Sequence, residues 1–123
     1  DVCHDTQSPM YKKVEQGDQR LGEGPVLTYG PAVQNNLLNF IIDVATKNEI
    51  KFQRASASRA TGTDTDAFAY SGVGSASALI SLPLKYMHTT VETISYDDIE
   101  AVIQLIHQSV LALENGQDFR YIK

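Results

Sequence analysis

Short apolar runs alternate with helical patterns along this chain, which predicts a mixed α/β fold. Residues 26–29 are β-prone, and residues 78–82 are nearly all apolar, as in a strand buried on both faces of a parallel sheet. Residues 50–54 alternate apolar and polar side chains with a period of two, which is typical of a half-buried strand. Residues 1–4 and 91–94 predict two further short strands.

The chain also contains two stretches with the spacing of amphipathic helices. Asn35 and Asn36 precede the first helix, which is predicted over residues 37–48. The second helix begins after Ser95, which forms the pattern of a capping box with Asp98. The apolar stripe of this second helix consists of Ile99, Val102, Ile103, Ile106, Val110 and Leu113. A shorter helix is predicted to end near residue 70.

This alternation of strands and helices predicts an α/β layer with a largely parallel sheet. Residues 5–25 are polar and rich in glycine, so we expect a long surface loop, and loops of this length often have a functional role. Ligands bind beyond the carboxyl ends of the strands in such sheets. The loops at residues 1–9, 59–66 and 85–92 are therefore the candidate site.

The composition argues against several classes of function. The chain has 123 residues and a formal net charge of −5, which disfavours nucleic-acid binding because phosphates are bound by clusters of Lys and Arg. No apolar run reaches the roughly 20 residues of a membrane span. A single cysteine, Cys3, permits no intramolecular disulfide and favours a reducing, cytoplasmic compartment. The sequence starts without Met on a strand-like segment, so we expect a piece of a longer protein.

The candidate loops contain few groups that can bind a metal. His88 lies between two predicted strands, where a neutral imidazole can bind a metal, act as a base or donate to a carbonyl. Asp1 can bind a divalent cation through a hard oxygen or remain a solvated carboxylate. His4 has no second ligand nearby and His107 lies beside the apolar stripe, so both are interpreted as structural.

Gly62, Thr63 and Asp64 form a glycine turn that leads into the short helix. The turn has two interpretations. Acidic residues such as Asp64 and Asp66 stabilise a helix N-terminus, and the turn can also shape the wall of a substrate pocket. The sequence contains neither a nucleophile elbow nor a phosphate-binding glycine loop, so covalent catalysis is not favoured.

Five segments resemble, in order, the motifs of one peptidase family. They are residues 1–4, 17–18, 21–26, 59–64 and 78–88. The family is that of the tetrahedral, dodecameric metallo-aminopeptidases, also known as glutamyl or deblocking aminopeptidases, cellulase M or endoglucanase. Each motif is short, but together they extend in the same order over nearly the whole chain. Cys3 stands where the family usually has Thr, and Thr90 stands where it has Pro.

The resemblance implies a three-layer α/β/α zinc-exopeptidase-like fold with a mostly parallel mixed sheet. In this view residues 1–123 are the C-terminal segment of the catalytic domain. The resemblance also implies a dinuclear aminopeptidase that removes N-terminal residues from peptides through a metal-bridged water. Each full-length subunit would bind two divalent ions, zinc or cobalt, and the subunits would form a homo-oligomer, a dodecamer in the family.

Two metal ligands of the family match this chain. Asp1 is similar to the terminal carboxylate ligand of one metal, and His88 is similar to the terminal histidine ligand of the other. The remaining ligands and the general base would lie upstream of residue 1. Because two ligands do not complete the coordination of a catalytic metal, the 123-residue chain alone is expected to be inactive.

The resemblance also implies the residues around these ligands. Gly62, Thr63 and Asp64 are expected beside the substrate pocket. Tyr86 and Glu92 are expected to support the loop that contains the metal-binding histidine. Two alternatives remain open, which are a non-catalytic α/β binding module and a deacylase or carboxypeptidase of the same fold.

Overall fold

The computed structural model of this protein describes residues 1–122, in which five strands and four helices form a mixed α/β fold. The strands are β1 (Val2–His4), β2 (Val26–Tyr29), β3 (Gln53–Ser56), β4 (Leu79–Lys85) and β5 (Thr93–Ile94). The helices are α1 (Lys13–Gln16), α2 (Asn35–Lys47), α3 (Thr65–Ala69) and α4 (Tyr96–Leu111). None of the helices within residues 1–122 is long and apolar enough to cross a membrane.

The strands form one sheet in the order β1-β4-β2-β3, and β5 also pairs with β4. The β1–β4 and β2–β3 pairs are parallel, whereas the β2–β4 and β4–β5 pairs are antiparallel. The prediction of an α/β fold with a largely parallel mixed sheet is confirmed. β4 pairs with three other strands and is therefore fixed in the sheet. The loops before Leu79 and after Lys85 start from its two fixed ends.

The main core lies between the sheet and the helices α2 and α4. Leu27 of β2 and Leu79 of β4 contact it from the sheet, and Leu105 contacts it from α4. The buried apolar residues of this cluster are Leu27, Val33, Leu38, Ile41, Ile42, Ala45, Ile50, Leu79 and Leu105. Each large side chain that is fully removed from water contributes about 1.5–3 kcal/mol to folding, so this cluster fixes the two helices on the sheet.

Two strand boundaries differ from the prediction. β3 begins at Gln53 rather than at residue 50, because Ile50 is buried in the core at the end of α2 and pairing with β2 starts only where Gln53 meets Val26. β4 continues through Pro83. Pro83 is in register with Cys3 of β1, but the ladder bonds on that side are made by its neighbours, since the Leu82 N–H donates to the Asp1 carbonyl and the Leu84 carbonyl accepts from the Asp5 N–H. On the other side β2 pairing ends at Ser81 and β5 pairing starts at residue 84, so the missing N–H of Pro83 is tolerated.

The face that α4 turns to the core also differs from the prediction. Leu105 is fully buried and Ser109 is nearly so, whereas Ile103, Ile106 and Val110 are 55%, 47% and 61% exposed. Most of the predicted apolar stripe therefore lies on the outer side of the helix. Periodicity alone did not reveal this, because α4 has apolar residues on both sides.

The capping box predicted at the start of α4 is wrong. The side chain of Ser95 makes no capping hydrogen bond, and the carboxylate of Asp98 accepts the backbone N–H groups of Gly22 and Gly24 at 2.7 and 2.8 Å. A buried carboxylate is stabilised by two donors, and the loop preceding β2 provides them. Within residues 5–25, helix α1 was not predicted.

Candidate functional site

The glycine-rich loop, residues 17–25, is held in place by two buried carboxylates. Asp5, which directly follows β1, accepts a hydrogen bond from the backbone N–H of Leu21 at 2.8 Å. Asp98 binds the same loop from α4 through Gly22 and Gly24. Both carboxylates are at most 2% exposed. Asp5 therefore orders this loop.

Gln53 of β3 provides a third anchor for the glycine-rich loop. Its side-chain amide donates to the carbonyls of Arg20 and Gly24 at 2.9 and 2.8 Å, and its amide oxygen accepts from the N–H of Arg20. Gly24 has a φ of +86°, and a Cβ there would lie 2.1 Å from the carbonyl oxygen of Lys51. The loop therefore packs backbone against backbone at this point, which requires glycine.

Asp66 organises the turn that was predicted to border the substrate pocket. Its carboxylate accepts the backbone N–H groups of Thr61 and Gly62, at 2.9 and 3.0 Å for the nearer oxygen. These hydrogen bonds, chiefly those from Thr61, hold the pKa of Asp66 below its ordinary value. The hydroxyls of Thr61 and Thr63 lie 2.8 Å apart. Asp64 occupies the N-cap position of α3 without a side-chain capping bond.

A cleft of about 420 Å³ brings two of the predicted site residues together. Its lining residues are Asp1, Asp64, Thr65, Phe68, Ala78, Leu79, Ile80 and Ile106. Asp1 lies at the edge of the sheet, where its backbone bonds to the carbonyl of Ile80 and to the N–H of Leu82. One carboxylate oxygen of Asp1 accepts the N–H of Val2 at 2.7 Å. Asp1 and Asp64 thus line the same cleft, whose walls are mostly apolar.

His88 lies in a separate loop between β4 and β5. Tyr86 and His88 have positive φ angles of 59° and 62°, which turn the chain sharply after β4. Glu92 accepts a hydrogen bond from the backbone N–H of His88 at 2.5 Å, and the hydroxyl of Thr89 donates to the carbonyl of Tyr86. Glu92 therefore fixes the backbone that presents the imidazole.

The two predicted metal ligands lie toward opposite ends of β4. Asp1 is level with the stretch from Ile80 to Leu82, whereas His88 follows Lys85 at the carboxyl end. Along β4, the level of Asp1 is four residues before Lys85, which corresponds to a distance of about 13 Å. No hydrogen bond or ion pair within residues 1–122 joins Asp1 to His88. The structure brings Asp1 and Asp64 to one cleft, and His88 is not among the residues that line it.

Asp1 and His88 have the donor atoms that a divalent metal prefers, but two ligands are too few to complete its coordination. A carboxylate oxygen and an imidazole nitrogen are both ordinary ligands of zinc. Residues 1–122 contain no group of three or more His, Cys, Asp or Glu side chains that could hold an ion. The chain therefore offers two separate donors rather than a complete metal site.

Cys3 and His4 contribute no reactive group. Burial raises the pKa of the Cys3 thiol to about 12, so the thiol is protonated near neutral pH. The hydroxyl of Tyr11 lies 2.8 Å from Nδ1 of His4, and the two rings stack with centroids 4.6 Å apart. The structural interpretation of His4 agrees with this pairing.

Sequence reasoning missed the roles of Asp98 and Gln53 in fixing the glycine-rich loop. Asp98 contacts residues 74 and 76 positions away, and Gln53 contacts Arg20 across 33 positions. No local pattern signals such contacts.

Comparison with known proteins supports one family. A family model described as M42 glutamyl aminopeptidase matches residues 1–105. A lysyl aminopeptidase from Pyrococcus furiosus is 39% identical over 85 residues, which are 69% of this chain and 25% of the relative. This chain therefore spans about a quarter of the length of that curated relative.

Solved structures give the same result for the fold. A TET aminopeptidase from a marine sediment archaeon (Thaumarchaeota) has a TM-score of 0.83 and 27% identity, and the match covers 94% of this chain and 32% of that protein. The Pyrococcus horikoshii TET1 peptidase, which can assemble into a tetrahedron or a large octahedral shell, has a TM-score of 0.64 and 33% identity. That match covers 80% of this chain and 29% of the peptidase.

Proposed function

Because this chain belongs to the M42 glutamyl aminopeptidase family, we propose that it forms the C-terminal part of the catalytic domain of a dinuclear metallo-aminopeptidase. The enzyme would remove N-terminal residues from peptides. The observation that carries this proposal is the family match over residues 1–105, which includes Asp1, Gly62 to Asp64 and His88. Because the chain spans only part of its relatives, the whole enzyme needs ligands from outside residues 1–123.

In this proposal Asp1 and His88 are ligands of different ions of one zinc or cobalt pair. Such a pair supplies a bound water whose pKa is low enough for attack on a peptide carbonyl near neutral pH. The hydrogen bond from the His88 N–H to Glu92 supports the proposal, because it restrains the loop that presents the imidazole. Tyr86 precedes His88 in the same turn and shares its positive φ.

Gly62, Thr63 and Asp64 would form one wall of the substrate pocket. Asp64 lines the same cleft as Asp1, and its carboxylate makes no capping bond with α3. A carboxylate beside a metal ligand suits a substrate that presents a positively charged N-terminal amine. Asp66 fixes the backbone of the turn, so Asp64 is held in position without using its own carboxylate.

The proposal is tested by assaying the full-length protein with unblocked aminoacyl amides after loading with zinc or cobalt. We expect turnover that a chelator abolishes and that added metal restores. Hydrolysis of N-acylated substrates instead would identify a deacylase, and release of C-terminal residues would identify a carboxypeptidase. A protein that binds no divalent ion even after loading would contradict the proposal and favour a non-catalytic binding module.

We also propose that the full-length subunits assemble into a homo-oligomer in the cytoplasm. The support is the TET1 peptidase from Pyrococcus horikoshii, which assembles into a tetrahedron or an octahedral shell. The single cysteine of this chain agrees with a reducing compartment. Light scattering coupled to size-exclusion chromatography measures the assembly, and a monomeric full-length protein would contradict it.

A further inference from the structure

The outer face of α4 is unusually apolar for a helix at a protein surface. Residues 101–113 contain no Asp, Glu, Lys or Arg. A helix that faces water normally has charged and polar residues on its outer side. This segment has none of the charges that would keep its outer side solvated, so we expect another element to cover it.

The exposed apolar residues on this side follow a regular spacing. The outer stripe is defined as Ile99, Ile103, Ile106 and Val110. Its members are separated by four, three and four positions, which is the spacing of a helix that packs along another helix. Ile103, Ile106 and Val110 are 55%, 47% and 61% exposed, and Leu113, just beyond the helix, is 46% exposed. The opposite side of α4, with Leu105, already packs on the sheet.

The outer stripe is continuous with the cleft that contains Asp1. Ile106 belongs to the stripe and also lines that cleft, together with Phe68 of α3, which is 63% exposed. An element that covers the stripe therefore also reaches the cleft. Asp1 and Asp64 lie at the same place, so such an element would bring its own side chains close to both carboxylates.

We propose that the outer stripe is the docking surface for an apolar helix from the part of the M42 catalytic domain that this chain does not contain. This inference rests on the proposed function. The solved relative from the marine sediment archaeon contains about three times the matched length, because this chain covers 32% of it. The covering helix packs along α4 and closes the cleft, next to the position where the missing metal ligands are needed.

A second copy of this chain is a less suitable occupant because of the charges on α4. The first turn contains the exposed Asp97, and the last turn contains no basic residue. Glu100 follows in the second turn, and Glu114 follows the end of the helix. Two copies packed parallel would bring the acidic first turns together, and two antiparallel copies would bring Glu100 toward Glu114.

The test is cysteine labelling in the full-length protein. On a background in which all other cysteines are replaced by serine, Ile103→Cys and Ile106→Cys are compared with Val73→Cys, which is 106% exposed and lies outside the stripe. Each rate of reaction with a maleimide is measured natively and in urea. We expect labelling of the two stripe cysteines to be at least tenfold slower in the native protein than in urea. The Val73→Cys control is expected to label at similar rates in both.

Aminopeptidase activity of the same samples separates this inference from the proposed function. Rapid native labelling of both stripe cysteines in an active enzyme would overturn the docking surface and leave the proposed function intact. Protection of the stripe in a protein without metal or activity would support the surface and contradict the proposed function. Protection that disappears on hundredfold dilution would identify a second copy as the occupant and overturn the inference.

Discussion

Asp98 lies in the first turn of α4 and is 1% exposed, yet it binds outside its own helix. A buried carboxylate is tolerated when its oxygens accept hydrogen bonds, and each oxygen of Asp98 accepts one backbone N–H. One residue thereby connects the last helix to the loop that precedes β2. Its position three residues after Ser95 is that of a capping box, and the tertiary contact overrides this local pattern.

Asp98→Ala is expected to lower the free energy of unfolding by about 3 kcal/mol, because it removes both acceptors and leaves the N–H groups of Gly22 and Gly24 without their partner. Asp97→Ala is the matched control, since Asp97 is an exposed acidic residue in the same first turn. Its loss is expected to cost about 0.5 kcal/mol through the helix dipole. Urea unfolding measures both values, and equal losses would contradict the anchoring role.

Cys3 provides a test of burial at the edge of the sheet. Since burial raises its pKa from 9.0 to about 12, the thiolate fraction near pH 8 falls about a thousandfold relative to an ordinary cysteine. We expect iodoacetamide to react very slowly with the folded protein and rapidly in urea. Fast native alkylation at pH 8 would show that the thiol is not desolvated.

The same shift gives a pH dependence with a defined sign. The unfolded thiol loses its proton near pH 9 and the folded thiol near pH 12, so the unfolded state binds fewer protons between these values. The stability contributed by Cys3 is therefore present below pH 9 and is lost as the pH rises toward 12. Cys3→Ser is expected to reduce the slope of unfolding free energy against pH above pH 9, and an unchanged slope would contradict this.

At the scale of elements, the glycine-rich loop is shaped by backbone contact with the segment that leads into β3. Gly24 and Gly22 both have positive φ angles, of +86° and +78°. A Cβ at Gly24 would lie 2.1 Å from the carbonyl oxygen of Lys51, whereas a Cβ at Gly22 meets nothing within 4 Å. Substitution of Gly22 therefore introduces only backbone strain, whereas substitution of Gly24 introduces backbone strain and a steric clash.

Gly22→Ala is expected to cost about 1–2 kcal/mol, which is the left-handed backbone penalty alone. Gly24→Ala has the same backbone penalty and in addition displaces the segment at Lys51. We therefore expect it to lower the free energy of unfolding by more than about 3 kcal/mol. Both values come from chemical unfolding curves. Losses of similar size in the two variants would contradict a close approach between the loop and the neighbouring backbone.

The existence and order of most elements could be predicted because each has a local signal. β2 was predicted over the observed residues, and α2 was predicted within two residues of its observed bounds. The start of β3 was missed because Ile50 and Phe52 extend the apolar alternation while packing on the core before pairing begins. The core face of α4 was missed because tertiary packing, rather than periodicity, selects one of its two apolar sides.

For the molecule as a whole, the α/β pattern predicted which loops form the candidate site, but the ligand roles within them came only from family resemblance. Asp1 and His88 are 87 positions apart in the sequence, so no local spacing links them. The structure brings Asp1 and Asp64 to one cleft, a proximity that no local pattern indicates. The roles of Asp1 and His88 as ligands stay predictions, because the proposed metal pair also needs ligands outside residues 1–123.

The zinc content of the full-length protein shows whether Asp1 and His88 are metal ligands. The protein and its Asp1→Ala, His88→Ala and His107→Ala variants are equilibrated with zinc, freed of excess ion by gel filtration, and measured by mass spectrometry for zinc per subunit. We predict two ions in the unmodified protein and in the His107 variant, and about one fewer in each of the other two. Retention of the full zinc content by both the Asp1 and the His88 variants would contradict the account.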